Sequence, residues 1–328
     1  MKYEPVVSIV IPAYKAANYL AEAIDCSLAQ TYPNIEIIVV NDGSPDDGAT
    51  REVALRYGDK IRYFEKENGG SSTALNEGIR QMRGEWFSWL SHDDLYLPEK
   101  VQQQVEYLQA VVEQGNKPEE YVLFTASDLI DKDGKIIRKS DKTAETVRAE
   151  QINGMADNRW LIADQIKRYS FHGCGCLVHK TVFDVVGMFD ENLRLVNDID
   201  LWLRIFMGGC RVRYLPQSLV QGRIHAKQVS RSIGFSYHNP EQDRYWKQVY
   251  DYLTTHEEYE DWRDLMLAYA STAIMKTRRE DGKRAFELLK QRYPDDQLSL
   301  GITETICFVK SMIWATGKKI YLKLFVRN

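Results

Sequence analysis

Four short polar clusters carry the side chains best suited to chemistry. SHDD, Ser91 to Asp94, follows the apolar run EWFSWL and sets two carboxylates side by side. Adjacent carboxylates repel, and Mg2+ or Mn2+ relieves that repulsion by taking one or two of them together with phosphate oxygens. A metal held this way neutralises charge on a leaving diphosphate. An N-cap for a helix starting near Pro98 would need only one of the two acids. NDID, Asn197 to Asp200, precedes LWLR. Either Asp198 or Asp200 can cap that helix, which leaves the other as a general base within reach of a proton. Arg204 stands at helical spacing from Asp200 and can pair with it. Asp42, in IIVVNDGSPDD, can accept hydrogen bonds from a bound ring or sugar, or bond its own backbone as an Asx turn. RIHAKQVSRS, Arg223 to Ser232, brings basic groups for a diphosphate, with His225 able to join a metal shell. A fifth segment, ENGGSSTALNEG, is a glycine-bearing turn into a helix, whose first amides favour anions.

These clusters need a scaffold, and the first 130 residues supply an alternating one. VVSIVI (6–11), IEIIVV (35–40), IRYF (61–64), EWFSWL (85–90) and YVLFTAS (121–127) read as strands. Between them, 18–30 has helical spacing with Asn18 as the cap. Further helices run through Val53 and Leu55, along STALNEGIRQM, and along LPEKVQQQVEYLQAVVEQ with Pro98 near its start. Strands alternating with helices imply a Rossmann-like, mainly parallel α/β sheet with helices on both faces. Such sheets bind ligands at the carboxyl ends of their strands, where Asp42, Asp93 and Asp94 fall. Residues 138–170 read as a polar, irregular excursion, a lid or acceptor-binding segment. From 236 onward the pattern is helical, so residues 1–235 are expected to form a catalytic domain and 236–328 a helical extension.

Composition narrows the function further. The 328 residues are 44% hydrophobic and 27% charged, ordinary globular usage. With 43 basic against 47 acidic residues the net charge is −4, and no global basic excess points to nucleic acid. The five cysteines lack zinc-finger spacing, which fits reduced thiols in the cytoplasm. No GxxxxGK[ST] motif occurs, and PAYKAANYL stands where a dinucleotide fingerprint would follow the first strand. No apolar stretch is long enough to cross a bilayer. The end of the chain is different: after Glu304 it has no acids, while Lys310, Lys318, Lys319, Lys323 and Arg327 accompany Trp314, Tyr321 and Phe325. Ile302, Ile306, Val309, Ile313, Ile320 and Leu324 recur there at helical spacing. That combination suits a helix lying on an anionic membrane surface, peripheral on the inner face of the cell membrane. The alternative is packing on the body of the protein or on another subunit of a homo-oligomer.

Taken in order, VSIVIPAYKAANYL, IEIIVVNDGSPDD, ENGGSSTALNEGI, GEWFSWLSHDD and DIDLWLR resemble the family 2 glycosyltransferases of GT-A fold, over roughly residues 6–231. The resemblance implies an inverting transferase that moves sugar from a nucleotide donor, commonly UDP-linked, to a glycan or lipid-linked glycan, with Mn2+ or Mg2+. By position it puts Pro12, Ala13 and Tyr14 beside the base and Asp42 on it. Lys66, Asn68 and Gly70 flank the nucleotide, and Asp93 lies near ribose and metal. Asp94 becomes a metal ligand and Asp198 the base, with Arg223 and His225 at the diphosphate or metal. His92 and His172 are further candidates for diphosphate or acceptor. Ser91 and Asn197 depart from the family pattern, which carries Asp and Glu there. They leave open a sugar-nucleotide-binding scaffold without transfer. Nucleotidyl transfer is disfavoured, since PAYKAAN is not its Gly-rich basic loop.

Overall fold

The structure, a computed structural model, describes residues 2–168, 171–226, 228 and 240–325, with side chains as far as residue 312. The basic and aromatic side chains singled out beyond that point lie outside the described residues, as does most of the 227–239 segment.

Nine strands form one mixed sheet among the described residues. They are β1 (Val7–Ala13), β2 (Ile35–Asp42), β3 (Arg62–Lys66), β4 (Trp86–Trp89), β5 (Leu95–Tyr96), β6 (Tyr121–Ile130), β7 (Ile136–Arg138), β8 (Leu177–His179) and β9 (Arg211–Arg223). The order is β3-β2-β1-β4-β8-β6-β9-β5, with β7 added to β6. The β3-β2-β1-β4 half is parallel, with Val7 opposite both Ile35 and Trp86. Beyond β4 the sheet is mixed: β8 runs antiparallel to both β4 and β6, and β6 returns parallel to β9. Every residue of β1 is buried, as expected for a strand covered on both faces. The expected mixed, mainly parallel α/β sheet with flanking helices and further helices toward the end of the chain is the one observed.

Helices α1 (Leu20–Leu28), α2 (Ala49–Leu55), α3 (Ser71–Gln81) and α4 (Lys100–Glu113) connect the parallel strands. Helix α1 has Tyr19 at its cap position with no side-chain cap, so Asn18 does not fill the role its type suggested. Helix α4 starts after Pro98, and its buried first-turn amide at Val101 is satisfied by the Gln30 side chain at 3.0 Å. Gln30 also donates to the Leu97 carbonyl, pinning the start of α4 to the end of α1. At Gly78 an added Cβ would lie 2.2 Å from Val10 Cγ1, so the glycine lets α3 lie directly on β1.

Most of the described part of the 138–170 segment is helical, contrary to the irregular excursion expected. It contains α5 (Lys142–Asn153) and α6 (Arg159–Arg168). Asp141 caps α5 through the amides of Thr143 and Ala144. Only Ala149 and Ile152 of α5 are buried, too few to leave an apolar period in the sequence. Helices α7 (Lys180–Val186) and α8 (Asn197–Met207) follow β8.

The chain falls into two compact units. One holds the sheet with α1–α5, α7 and α8. The other joins α6 to the helices Pro240–Thr255, Trp262–Met275, Arg279–Arg292 and Gln297–Phe325. Helix α6 therefore groups with the chain beyond 235, although it precedes that point in sequence. Within this second unit Trp262 donates to the Leu253 carbonyl at 2.6 Å, and Arg159 pairs with Asp261 at 3.0 Å.

Candidate active site

Asp42 closes β2 and is almost wholly buried. Its Oδ1 accepts from Lys66 Nζ at 2.9 Å and from the Gly69 amide at 3.0 Å. Oδ2 accepts from the Gly70 amide at 2.7 Å and from Asn68 Nδ2 at 3.1 Å. One carboxylate thus holds the whole Asn68–Gly70 turn ahead of α3. The turn needs its glycines: Gly70 has φ +97°, and a Cβ on Gly43 (φ +59°) would sit 2.7 Å from the Asn68 amide nitrogen. Lys66 also donates to Thr73 Oγ1 at 2.8 Å. At the end of β1, Pro12 and Ala13 are buried while Tyr14 is 38% exposed. Lys15 takes a left-handed conformation (φ 51°), its amide on Ser44 Oγ at 2.9 Å, and its ammonium lies 5.4 Å from the Tyr14 ring centre. This bend leaves an exposed aromatic face beside the Asp42 turn, suited to stacking on a planar ring.

The acids after β4 part company. Asp93 is partly exposed, and its Oδ2 lies 2.9 Å from His225 Nε2. Asp94 is 5% exposed and points inward. Its Oδ1 accepts the Arg223 amide at 2.8 Å and its Oδ2 accepts the Cys174 thiol at 3.1 Å, with His172 Nε2 3.8 Å away. Burial pushes the Asp94 carboxyl above its ordinary range, against the pull of His172. His225 therefore partners Asp93, whereas the sequence resemblance grouped it with Asp94 as the metal pair.

Arg223 is 2% exposed and its guanidinium is built into the wall. It donates to the Asp93 carbonyl at 2.7 Å and the Lys132 carbonyl at 3.2 Å, pairs with Glu22 at 2.7 Å, and lies 4.6 Å from the Tyr19 ring centre. Tyr19 also packs on His225, with ring centres 5.2 Å apart. Tyr19 and Glu22, both from the start of α1, were not singled out in the sequence, since neither sits in a charged motif. His92 is partly exposed beside Asp93.

Asp198 opens α8 half-buried, its Oδ1 accepting the Ile199 amide at 2.8 Å. Burial raises its carboxyl, and His172 pulls it down, so His172 stands within electrostatic reach of both Asp94 and Asp198. Asp200 is committed elsewhere: Arg204 binds it at 2.7 Å and also donates to the carbonyls of Gly187 and Met188. Asn197 is a buried strut, donating to Ser71 Oγ at 3.2 Å and accepting the Asp198 amide at 3.0 Å. Ser72 Oγ to the Leu193 carbonyl and Asn76 to Phe189 continue this seam between α3 and the 189–197 segment. The seam also carries Arg194 to within 3.6 Å of the point where a Gly70 Cβ would stand. It adds a cation at the Asp42 turn that no sequence motif marked.

The ends of β2 and β4 and the start of α8 thus present an acid-held turn, a carboxylate–imidazole pair and a half-buried Asp. Solved structures share this fold. Staphylococcus aureus TarS 1–349 in complex with UDP-GlcNAc superposes with a TM-score of 0.57 at 14% identity, covering 95% of this chain and 92% of that one. The mannosyltransferase PcManGT of Pyrobaculum calidifontis, in complex with GDP-Man and Mn2+, gives 0.55 at 15% identity over 99% and 89%. The glycosyl transferase family 2 model matches residues 8–118. A Rickettsia typhi protein described as an uncharacterized glycosyltransferase is 42% identical over 70% of this chain and 67% of its own length. The chain belongs to glycosyltransferase family 2. It spans only 35–47% of three longer relatives from Rickettsia bellii, Rickettsia felis and Rickettsia conorii, to which it is 40–43% identical.

Proposed function

We propose that the chain transfers a sugar from a UDP-sugar to a hydroxyl of a glycan or lipid-linked glycan, with inversion at the anomeric carbon, in cell-surface polysaccharide or glycoconjugate synthesis. The observation that carries the reading is the convergence of two strand ends and the start of α8. The Asp42 turn is joined to α8 through Asn197 and Ser71, and His172 links the Asp94 end of β4 electrostatically to Asp198.

In this reading Tyr14 stacks on the base, while Asp42 and Lys66 fix the turn that borders it. Asp198 takes the proton from the acceptor hydroxyl, whose oxygen attacks the anomeric carbon as the nucleoside diphosphate departs from the opposite face. Asp200 has no such role, because its carboxylate is spent on Arg204. A carboxylate and an imidazole nitrogen 2.9 Å apart fit Mn2+ better than Mg2+, which prefers oxygen ligands, so the donor-side cation is assigned to Asp93 and His225 as Mn2+. Bound there, the ion supplies positive charge to the leaving group. Arg223 serves by holding Asp93 and the β9 end in place and does not contact the diphosphate.

The deciding experiment incubates the protein with UDP-, GDP- and dTDP-sugars, Mn2+ and glycan acceptors, following nucleotide release and the anomeric configuration of the product. Release with a UDP-sugar and an inverted product is expected. Absence of both transfer and donor hydrolysis across the panel, with UDP binding intact, would establish the scaffold instead.

The helix Gln297–Phe325 exposes Leu298, Ile302, Ile306, Val309 and Met312 along one side. The sequence that continues this helix is rich in Lys and has no acid after Glu304, so the charge complements anionic lipid. We assign this face to peripheral contact with an anionic membrane, which suits a lipid-linked acceptor. No described helix is long and apolar enough to cross a membrane.

A further inference from the structure

A cleft of about 550 Å³ opens between α4, the end of α5 and the middle of β9, within the sheet-bearing unit. None of the candidate active-site residues lines it. Gln217, on its wall, precedes Arg223 by six residues on the same strand, a distance of about 20 Å at the rise of a β-strand.

A break in the sheet shapes this cleft. Leu215 pairs with Thr125, but the next pair is Ser218 with Ala126, so Pro216 and Gln217 bulge out of the ladder. Bulges of this kind re-aim side chains beside a site. Asn153, the last residue of α5, closes the edge next to the bulge. Its side chain donates to the Tyr214 carbonyl at 3.0 Å and accepts the Tyr214 amide at 2.9 Å. The Tyr214 backbone is thereby satisfied, and side chains are left to face the opening. Ser218, where pairing resumes, keeps a buried hydroxyl with no partner among the described residues, a cost that the bulge carries.

We infer that this cleft binds a stretch of uncharged oligosaccharide, the acceptor chain held away from its reacting end; the acceptor role rests on the transferase reading above. Gln103, Glu106 and Tyr107 stand at i, i+3 and i+4 on α4 and so share one face. The side-chain amides of Gln103 and Gln217 bond no other described residue, and each offers two N–H donors and a carbonyl acceptor. Gln102 donates to Glu106 Oε1 at 2.7 Å, which orients the carboxylate and leaves Oε2 to accept. Sugar hydroxyls both donate and accept, so neighbouring hydroxyls match such planar groups two at a time. Tyr107 packs against the core while lining the cleft, and Pro216 adds a second apolar ring. These surfaces suit the C–H face of a pyranose. No lining residue is cationic, and the Glu106 carboxylate repels acidic sugars, so the class is uncharged glycan.

Strand β9 runs from the cleft to Arg223, which holds Asp93. A glycan seated in the cleft is therefore kept at a set distance from the transfer site. A chain long enough to reach both gains effective concentration from the second contact, and a short acceptor does not.

The full chain, in EDTA and without donor, is applied to an array of immobilised uncharged and uronate-bearing oligosaccharides. Wild type is expected to bind uncharged chains. The double variant Gln103→Ala/Gln217→Ala should weaken that binding about tenfold or more, with UDP affinity and the thermal midpoint unchanged. Asp198→Asn should retain it. In the transfer assay the double variant should raise KM for long acceptors, with kcat and short acceptors unaffected. Array binding that the double variant loses, in a protein that transfers no sugar, would uphold the cleft and reject the transferase reading. No array binding by wild type, binding that survives the double variant, a preference for uronate chains, or an unchanged KM for long acceptors would overturn the inference, and sugar transfer could persist in each case.

Discussion

Asp198 and Asp200 stand two residues apart on one helical turn, yet their surroundings separate them. Asp198 has one backbone donor and a carboxyl raised by burial, while Asp200 is saturated by Arg204. Asp198→Asn keeps the shape and loses the basic oxygen. Turnover is expected to fall about 10²–10⁴-fold with the donor KM little changed, as measured by steady-state kinetics. Because the base works only when ionised and its carboxyl lies above the ordinary range, wild-type kcat should fall on acidification earlier than for an unperturbed Asp. Asp200→Asn should leave the Arg204 guanidinium with carbonyl partners but no opposing charge, and cost about 3 kcal/mol in denaturant unfolding. A normal rate in Asp198→Asn would place the base elsewhere. Asp93→Asn is expected to remove the Mn2+-dependent part of UDP affinity in calorimetric titration. Equal affinity with Mn2+ and with EDTA in the wild type would remove the cation from the donor site.

At the scale of elements, two buried features set how α3 and α4 meet the sheet. Gly78→Ala would press a methyl into Val10, and overpacking of this kind costs about 1–3 kcal/mol. The loss should be seen as a lower denaturation midpoint with an unchanged slope. Lys100, at the start of α4, is fully buried, with Nζ near Ser88 Oγ, 2.9 Å from the Cys176 carbonyl and 4.2 Å from the Tyr96 ring centre. Burial lowers its ammonium from 10.5 to about 8. The folded chain thus holds fewer protons at this site than the unfolded chain between about pH 8 and 10.5. Linkage then gives a contribution that raises stability as pH climbs through that window. Lys100→Met should flatten this rise relative to wild type in chemical unfolding across pH 7.5–10.5. An unchanged pH profile would show that Lys100 keeps an ordinary affinity for its proton.

For the molecule as a whole, the exposed apolar side of the Gln297–Phe325 helix needs either lipid or protein. Each Lys or Arg near an anionic surface contributes about 1 kcal/mol and is screened by salt. The protein is expected to co-sediment with phosphatidylserine-containing vesicles at low salt, to release in high salt, and to lose binding on deletion after Leu300. Absence from the vesicle pellet together with a concentration-dependent dimer in sedimentation velocity would assign that face to a second copy.

The sequence by itself determined the sheet class, the order of the parallel strands' connections and the family, because buried strands leave unbroken apolar runs and strand-end motifs are local. The strand-end positions of Asp42 and Asp93, the helix-start position of Asp198 and the turn at 68–70 were legible for the same reason. Tertiary structure alone decided which neighbour each acid faces. Successive residues after β4 point opposite ways, so Asp93 meets His225 while Asp94 turns inward to Cys174, 80 residues away. It also turned Arg223 from a diphosphate candidate into a wall strut, through Glu22 and Tyr19 on a helix 201 residues earlier. Helix α5 stayed hidden because its cap was local but its buried face was only two residues wide. Local patterns record what a residue is and how its own element is covered; pairings between distant segments exist only once the chain has closed on itself.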